Sequence, residues 1–353
     1  MIEADAAVSE AAAAAERADL VYVSDSEPGI RRRGSGPRFH YVDAKGAAVR
    51  DDATLDRIRW LAIPPAWTDV WICASPSGHI QATGRDAKGR KQYRYHADWT
   101  ACRDDAKFSS LADFAAVLPK LRARVDEDLR KRNLTRDHVV ASIVWLLDNA
   151  MLRIGNDIYA RDNKSFGLTT LRSRHVAIEG SRIRFAFVGK SGREWKLKLA
   201  DRRIARIIRS VQELPGQRLF QYLDDEGERR EIHSQDVNDY IRGIAGNGFS
   251  SRHFRTWGAT DAATFLFAQT PLPDTRRQAA HALNRIIDRV AAQLNNTRAV
   301  CRRSYVHPAV VAAWLEGRLN DELAAIGRRN PRPLKGLSAE ESSLLRWLRA
   351  QSR

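Results

Sequence analysis

No stretch of this 353-residue chain comes near the ~18–20 consecutive apolar residues that a transmembrane helix needs. Cysteine is scarce. Cys73, Cys102 and Cys301 stand far apart with no CxxC pair, which argues against a disulfide framework and a thiolate zinc site and fits reduced thiols in the cytoplasm. A nucleotide-binding P-loop is missing as well. Gly189-Lys190-Ser191 resembles the end of one, but the first glycine it requires falls at position 184, which is Arg. No acidic cluster offers itself to Mg²⁺, so neither metal nor cofactor is expected. The first 18 residues are acidic and alanine-rich, unlike a signal peptide. Negative charge is in deficit: 43 Asp+Glu against 59 Lys+Arg leaves a formal net charge of +16. Such a surface attracts polyanions, and the usual one is the nucleic-acid backbone. The expectation is a cytoplasmic protein of the nucleoid, bound to duplex DNA and not to a membrane.

What is present is enough chain for two domains. Residues 1–25 form an Ala/Glu-rich arm, expected as a frayed helix or a disordered segment. Residues 26–102 read as a small strand-rich domain. Arg31-Arg32-Arg33-Gly34-Ser35-Gly36-Pro37 looks like a basic connector. Strands are expected at 39–43, 70–74, 79–83 and 92–96, with a short helix at 52–61 stopped by Pro64-Pro65. A boundary is expected near 100–108. Residues 108–353 then read as a larger, mainly helical domain. Val139, Val140, Ile143, Leu147 and Met151 recur at helical spacing, so 139–154 is expected as a core helix. Short strands are expected at 168–171, 175–178, 183–188 and 195–199. From Asp201 the pattern is mainly helical, and Ser338-Ala-Glu-Glu341 is a capping-box start for the last helix. The fold class is α+β.

Several residues could carry chemistry. Arg153 lies near the end of an apolar helix, where its charge needs an anionic partner; a phosphate suits its planar fork, and Asp157 is the ordinary alternative. Lys190 sits in the tight turn of a hairpin, as a solvated lysine or as a general acid delivered into a cleft. Arg255, beside Phe254 and Trp257, is a packed guanidinium or a second phosphate clamp. Tyr305 follows the arginine-rich Arg298-Ala-Val-Cys-Arg-Arg-Ser. A free phenol is only about one-thousandth ionised at pH 7, so as a nucleophile it requires neighbouring cations. In the strand-rich domain, Gln92, Tyr93 and Tyr95 lie among Arg90 and Lys91, a mixture suited to DNA grooves. An exposed strand with solvated charges is the plain alternative.

Taken in order, these segments resemble the type IB DNA topoisomerases, in particular the poxvirus-like bacterial group. The similarity runs from about residue 30 to about residue 320. It rests on Arg153-Ile-Gly155 with Phe166-Gly-Leu-Thr-Thr-Leu171, on Phe187-Val-Gly-Lys190-Ser-Gly192, and on Phe254-Arg255-Thr-Trp-Gly-Ala-Thr260. It rests also on Arg303-Ser-Tyr305-Val-His-Pro308 and on the segment 81–96. The resemblance implies a monomer whose two domains form a C-shaped clamp on duplex DNA. It implies that Tyr305 forms a 3′-phosphotyrosyl bond and expels a 5′-hydroxyl, that Arg153 and Arg255 hold the non-bridging oxygens, and that Lys190 protonates the leaving oxygen. No ATP or metal would be needed. Gly155 and Tyr159 match positions that contact DNA near the cleaved phosphate. One departure stands out: most relatives have histidine nine positions before the tyrosine, and here it is Asn296. Asparagine still donates a hydrogen bond but carries no charge. Two other readings stay open. A tyrosine recombinase would share the nucleophile and arginines, but the histidine it usually places three residues before the second arginine is Arg252 here. A non-catalytic DNA-binding protein would need only the charge.

Overall fold

The computed structural model describes residues 11–35, 38–131 and 133–351. The chain divides into two compact units, residues 1–109 and 110–353. No helix among the described residues is long and apolar enough to cross a membrane.

The first unit is built on an antiparallel sheet in the order β2-β1-β3-β4-β5. Its strands are β1 Ile30–Arg33, β2 His40–Val42, β3 Thr68–Ile72, β4 Ile80–Arg85 and β5 Lys91–Tyr95. Helix α1, Asp52–Trp60, starts where the Asp51 carboxylate accepts the Thr54 N–H. Ile58 from this helix meets Ile30, Val70, Ile72 and Ala82 in one small core. The triple arginine expected as a connector is instead strand β1. Ile30 at its start is buried against Ile72, and Arg32 is consumed locally. Its guanidinium donates to the Pro64 and Trp67 carbonyls and lies 4.1 Å from the Phe39 ring centroid. Gly36 and Pro37 of that segment fall outside the described residues.

Residues 1–10 of the alanine-rich arm also fall outside them. Its described part is packed: Ala14 and Ala15 bury against Trp99, and Tyr22 stacks on His79 at 4.4 Å. Residues 100–108 are not an extended linker. They belong to helix α2, Ala97–Ser109, which buries Trp99 and Phe108.

The second unit begins with α3, Leu111–Asp128, and α4, Arg136–Ala150. Helix α4 is apolar on nearly every face and runs through the core. It stops sooner than its periodicity predicts. Met151 takes a left-handed conformation at φ 49°, which ends the helix and releases Arg153 and Ile154 into a loop. Then follow α5 Asp157–Asn163, the antiparallel sheet β6 Val176–Glu179, β7 Arg182–Val188 and β8 Glu194–Ala200, and α6 Arg202–Gln212. β7 alternates buried and exposed along its whole length, the pattern of a half-buried strand.

Residues 168–171, expected as a strand, form a 3₁₀ turn over Leu168–Thr170. The Thr170 hydroxyl accepts the Gly167 N–H and donates to its carbonyl, and such local bonding competes with extended structure. A short hairpin, β9 Gln221–Leu223 and β10 Arg229–Glu231, carries no apolar alternation and was not legible in the sequence. The remainder is helical: α7 Ser234–Ala245, α8 Arg252–Ala268, α9 Arg276–Gln293, α10 Arg298–Ser304, α11 Pro308–Leu315, α12 Leu319–Arg329 and α13 Ala339–Gln351. The architecture is α+β.

Candidate active site

Three segments far apart in sequence converge in the second unit. The first is the loop after α4. Its backbone is fixed by the Leu168 N–H on the Arg153 carbonyl at 2.9 Å and the Thr169 N–H on Ile154 at 2.7 Å. Gly155 has φ +105°, which favours glycine, and Gly167 lies against it. A Cβ on Gly167 would fall 2.5 Å from the Gly155 nitrogen and 2.7 Å from the Arg153 carbonyl oxygen. The close approach of two glycine backbones thus sets where Arg153 emerges.

Arg153 then reaches two groups. Its Nη2 donates to Asn296 Oδ1 at 2.7 Å and to the Tyr305 hydroxyl at 3.5 Å. The alternative partner, Asp157, pairs elsewhere, with Arg218 and with His233 Nδ1 at 3.0 Å. Arg255 extends from α8 and is only 4 % exposed. It donates to the carbonyls of Met151 and Leu294, and its guanidinium carbon stands 5.0 Å from the centre of the Tyr305 ring. Burial, followed by the charge of Arg153, brings its pKa down to about 10. It is therefore still a cation at neutral pH, with a buried Nε that has no partner. Among the described residues no carboxylate pairs with Arg153 or Arg255. Two guanidiniums without counter-ions are costly to hold together and make a ready anion site.

Tyr305 follows the short helix α10, its N–H bonded to the Cys301 carbonyl at 3.0 Å. Burial alone would raise its phenol; Arg255 and then Arg153 outweigh that and hold it below its ordinary value. Thr260, buried on α8, fixes the backbone on the other side. Its hydroxyl donates to the Tyr305 carbonyl at 3.0 Å and accepts the His307 N–H at 3.1 Å. Nothing in the sequence context of Thr260 marks it as the tie to the tyrosine. Asn296 contributes its oxygen to Arg153, while its amide Nδ2 is buried with no partner. Cys301, beside this cluster, is fully buried with its thiol pushed up to about 11, so it is inert at neutral pH.

Lys190 stands apart from this cluster in its contacts. It lies exposed in the turn between β7 and β8, where Ser191 takes φ 65°, and has no side-chain hydrogen bond or ion pair among the described residues. The hairpin itself is tethered nearby. Asn295 Nδ2 donates to the Glu194 carbonyl at 2.7 Å, and the Phe166 N–H to the Val188 carbonyl at 2.8 Å. Tyr159 is exposed on α5.

In the first unit, Tyr93 and Tyr95 are exposed on β5 and stacked at 5.7 Å. Lys91 lies 5.5 Å from the Tyr93 ring centre and pairs with Asp25 at 2.6 Å. Arg90 and Gln92 are turned onto Asp86 in their own hairpin, at 2.7 and 2.9 Å.

Comparison with known proteins shows which family the chain resembles. The family described as eukaryotic DNA topoisomerase I, catalytic core, matches residues 95–320. Residues 38–86 match the bacterial DNA topoisomerase IB N-terminal domain. DNA topoisomerase 1B of Acanthamoeba polyphaga mimivirus is 34% identical over 291 residues, 79% of this chain and 85% of that protein. DNA topoisomerase I of monkeypox virus is 21% identical over 275 residues, 74% of this chain and 82% of its own. DNA topoisomerase 1 of Mycosarcoma maydis is 25% identical over 202 residues, 51% of this chain and 20% of its own.

Proposed function

This chain belongs to the type IB DNA topoisomerases, and from that premise we propose that it relaxes supercoiled duplex DNA through a transient phosphotyrosyl bond made by Tyr305. The observation that carries the mechanism is the pair of guanidiniums beside the Tyr305 phenol, with no counter-ion among the described residues. A backbone phosphate is the anion that this pair lacks.

The Tyr305 phenol gives up its proton to solvent as its oxygen attacks phosphorus, and the bond to the 5′-oxygen breaks, leaving the tyrosine on the 3′ phosphate. Arg153 and Arg255 bind the non-bridging oxygens and stabilise the charge that grows on them in the pentacoordinate transition state. Asn296 adds its free Nδ2–H₂ to one of those oxygens. Lys190 delivers a proton to the departing 5′-oxygen, an effect worth about 10²–10⁴ in rate. The turn that carries it is exposed and anchored at its base, which suits delivery once DNA is bound.

One phosphodiester is exchanged for another, so religation needs no ATP. The two arginines supply the charge stabilisation that a divalent ion would otherwise give, so the chemistry needs no metal. Between the two steps the free 5′ strand rotates and torsion is released. The exposed tyrosines of β5, with Lys91, Arg90 and Gln92, contact the duplex, as do Gly155 and Tyr159 beside the cleaved phosphate. The two units close on DNA as a C-shaped clamp, and the enzyme acts as a monomer in the nucleoid. Family membership and the net charge of +16 support these last assignments.

The test is relaxation of positively and negatively supercoiled plasmid in EDTA without ATP, beside Tyr305→Phe. Relaxation of both signs by the wild type alone supports the reading. Relaxation by Tyr305→Phe would overturn it.

A further inference from the structure

The helix that bears Arg255 is also held by a residue of the last helix. Glu341 is the third residue of α13 and closes the capping box with Ser338. The Ser338 N–H donates to its Oε2 at 2.9 Å, and the Glu341 N–H donates to the Ser338 hydroxyl at 3.1 Å. A cap needs no more than that. This carboxylate is nevertheless almost fully buried, at 8 % exposure. It takes three further hydrogen bonds, from Arg122 Nη1 at 2.8 Å, Arg122 Nη2 at 2.7 Å and Trp257 Nε1 at 3.0 Å.

Each partner leads towards an active-site arginine. Trp257 is buried on α8, two residues after Arg255. Arg122 on α3 grips Asp148 at 2.8 and 3.1 Å, and Asp148 lies in the last turn of α4. That helix ends at Met151, whose carbonyl accepts from Arg255, and continues into the loop of Arg153. One carboxylate therefore fastens the two elements from which the two guanidiniums emerge. Burying a charged network of this kind is a poor way to gain stability, because apolar side chains of equal volume do as well or better; its better-attested use is to specify one geometry. The match to the catalytic core ends at residue 320, and α13 lies beyond it.

We propose that Glu341 is a positioning residue for the cleavage reaction, setting the relative placement of Arg153 and Arg255 through Trp257 and through Arg122–Asp148. The inference rests on the topoisomerase reading above. The experiment is single-turnover cleavage of a suicide duplex at saturating full-length enzyme, where the rate constant does not depend on the active fraction. The variants are Glu341→Gln, Trp257→Phe and the double. Trp257→Phe deletes one N–H and leaves the Glu341–Arg122 pair intact, so it reports even where Glu341→Gln folds poorly.

Each single variant should lose at least tenfold in the cleavage rate constant with DNA affinity unchanged. The double should lose less than the product of the two single losses, since both variants act on the Glu341–Trp257 contact. The loss should persist on a 5′-bridging phosphorothiolate duplex, whose leaving sulfur needs no proton from Lys190. A rate for Trp257→Phe within twofold of wild type overturns the proposal, whatever its melting temperature. So does full recovery on the phosphorothiolate. Failure of the wild type itself to form a Tyr305 adduct would instead strike the topoisomerase reading.

Discussion

At Asn296 a neutral side chain stands where a guanidinium and a phenol converge. Its oxygen is committed to Arg153, so only its amide hydrogens are left for a phosphate oxygen. Asn296→Ala should therefore slow single-turnover cleavage by about 10–10²-fold, the usual cost of one preorganised donor. Asn296→His should keep or raise the rate, because histidine restores a donor and can add charge. Asn296→Asp should be the slowest, since a carboxylate would pair with Arg153 and repel the substrate. An unchanged rate for Asn296→Ala would remove this residue from the site. Asp261, on the same helix as Arg255, gives a pH effect of definite sign. Burial, then the charges of Glu341 and Glu340, push its carboxyl up to about 7, and its Oδ1 has no partner. Between its unfolded value near 3.8 and 7 the folded state binds the extra proton. Stability therefore falls as pH rises through that window, by an amount on the order of a few kcal/mol. Asp261→Asn, which stays neutral, should melt higher than wild type at pH 8 and converge with it below pH 4. Parallel melting curves across that range would show that Asp261 is not the titrating group.

At the scale of elements, the loop after α4 matters more than the helix. The periodicity of 139–154 identified a core helix, and the structure has one, but the helix ends at Ala150. Arg153 lies past that end, in the loop from which it reaches Asn296 and Tyr305. Gly167 holds the loop at backbone contact with Gly155, so Gly167→Ala must push the two segments apart. We expect it to lower the cleavage rate at least tenfold, at a position with no side chain to contact DNA. Hydrogen–deuterium exchange over 151–158 should rise in parallel, and a wild-type rate would show that the loop tolerates the shift. The capping box at 338–341 was legible because it is a local pattern, and it is present. The further bonds of Glu341 were not legible, since Arg122 and Trp257 lie 219 and 84 residues away in sequence. The strand expected at 168–171 failed because the Thr170 hydroxyl closes a local turn instead.

For the whole molecule, the excess of Lys and Arg sets how DNA is held. Log affinity should fall linearly with log salt, with a slope of about −0.9 per phosphate neutralised. Replacing Tyr93 and Tyr95 together by alanine should weaken binding and leave the cleavage rate of saturated enzyme near wild type, because both lie in the unit without Tyr305. A loss in that rate constant would mean that the first unit takes part in assembling the site. The sequence alone determined the charge, the α+β class and the order of the motifs. Those follow from composition and from short-range spacing, which survive in one dimension. It also singled out Tyr305, Arg153 and Arg255 as residues to ask about, and the family resemblance added Asn296. Which of them meet was decided by the tertiary structure: Arg153 bonds to Asn296 and Tyr305 across 143 and 152 positions. Only there did it become visible that Asp157 turns to Arg218 and His233, and that no carboxylate among the described residues pairs with Arg153. The physical reason is that a charge is satisfied by what lies within a few ångströms of it, and the packing of helices chooses those neighbours.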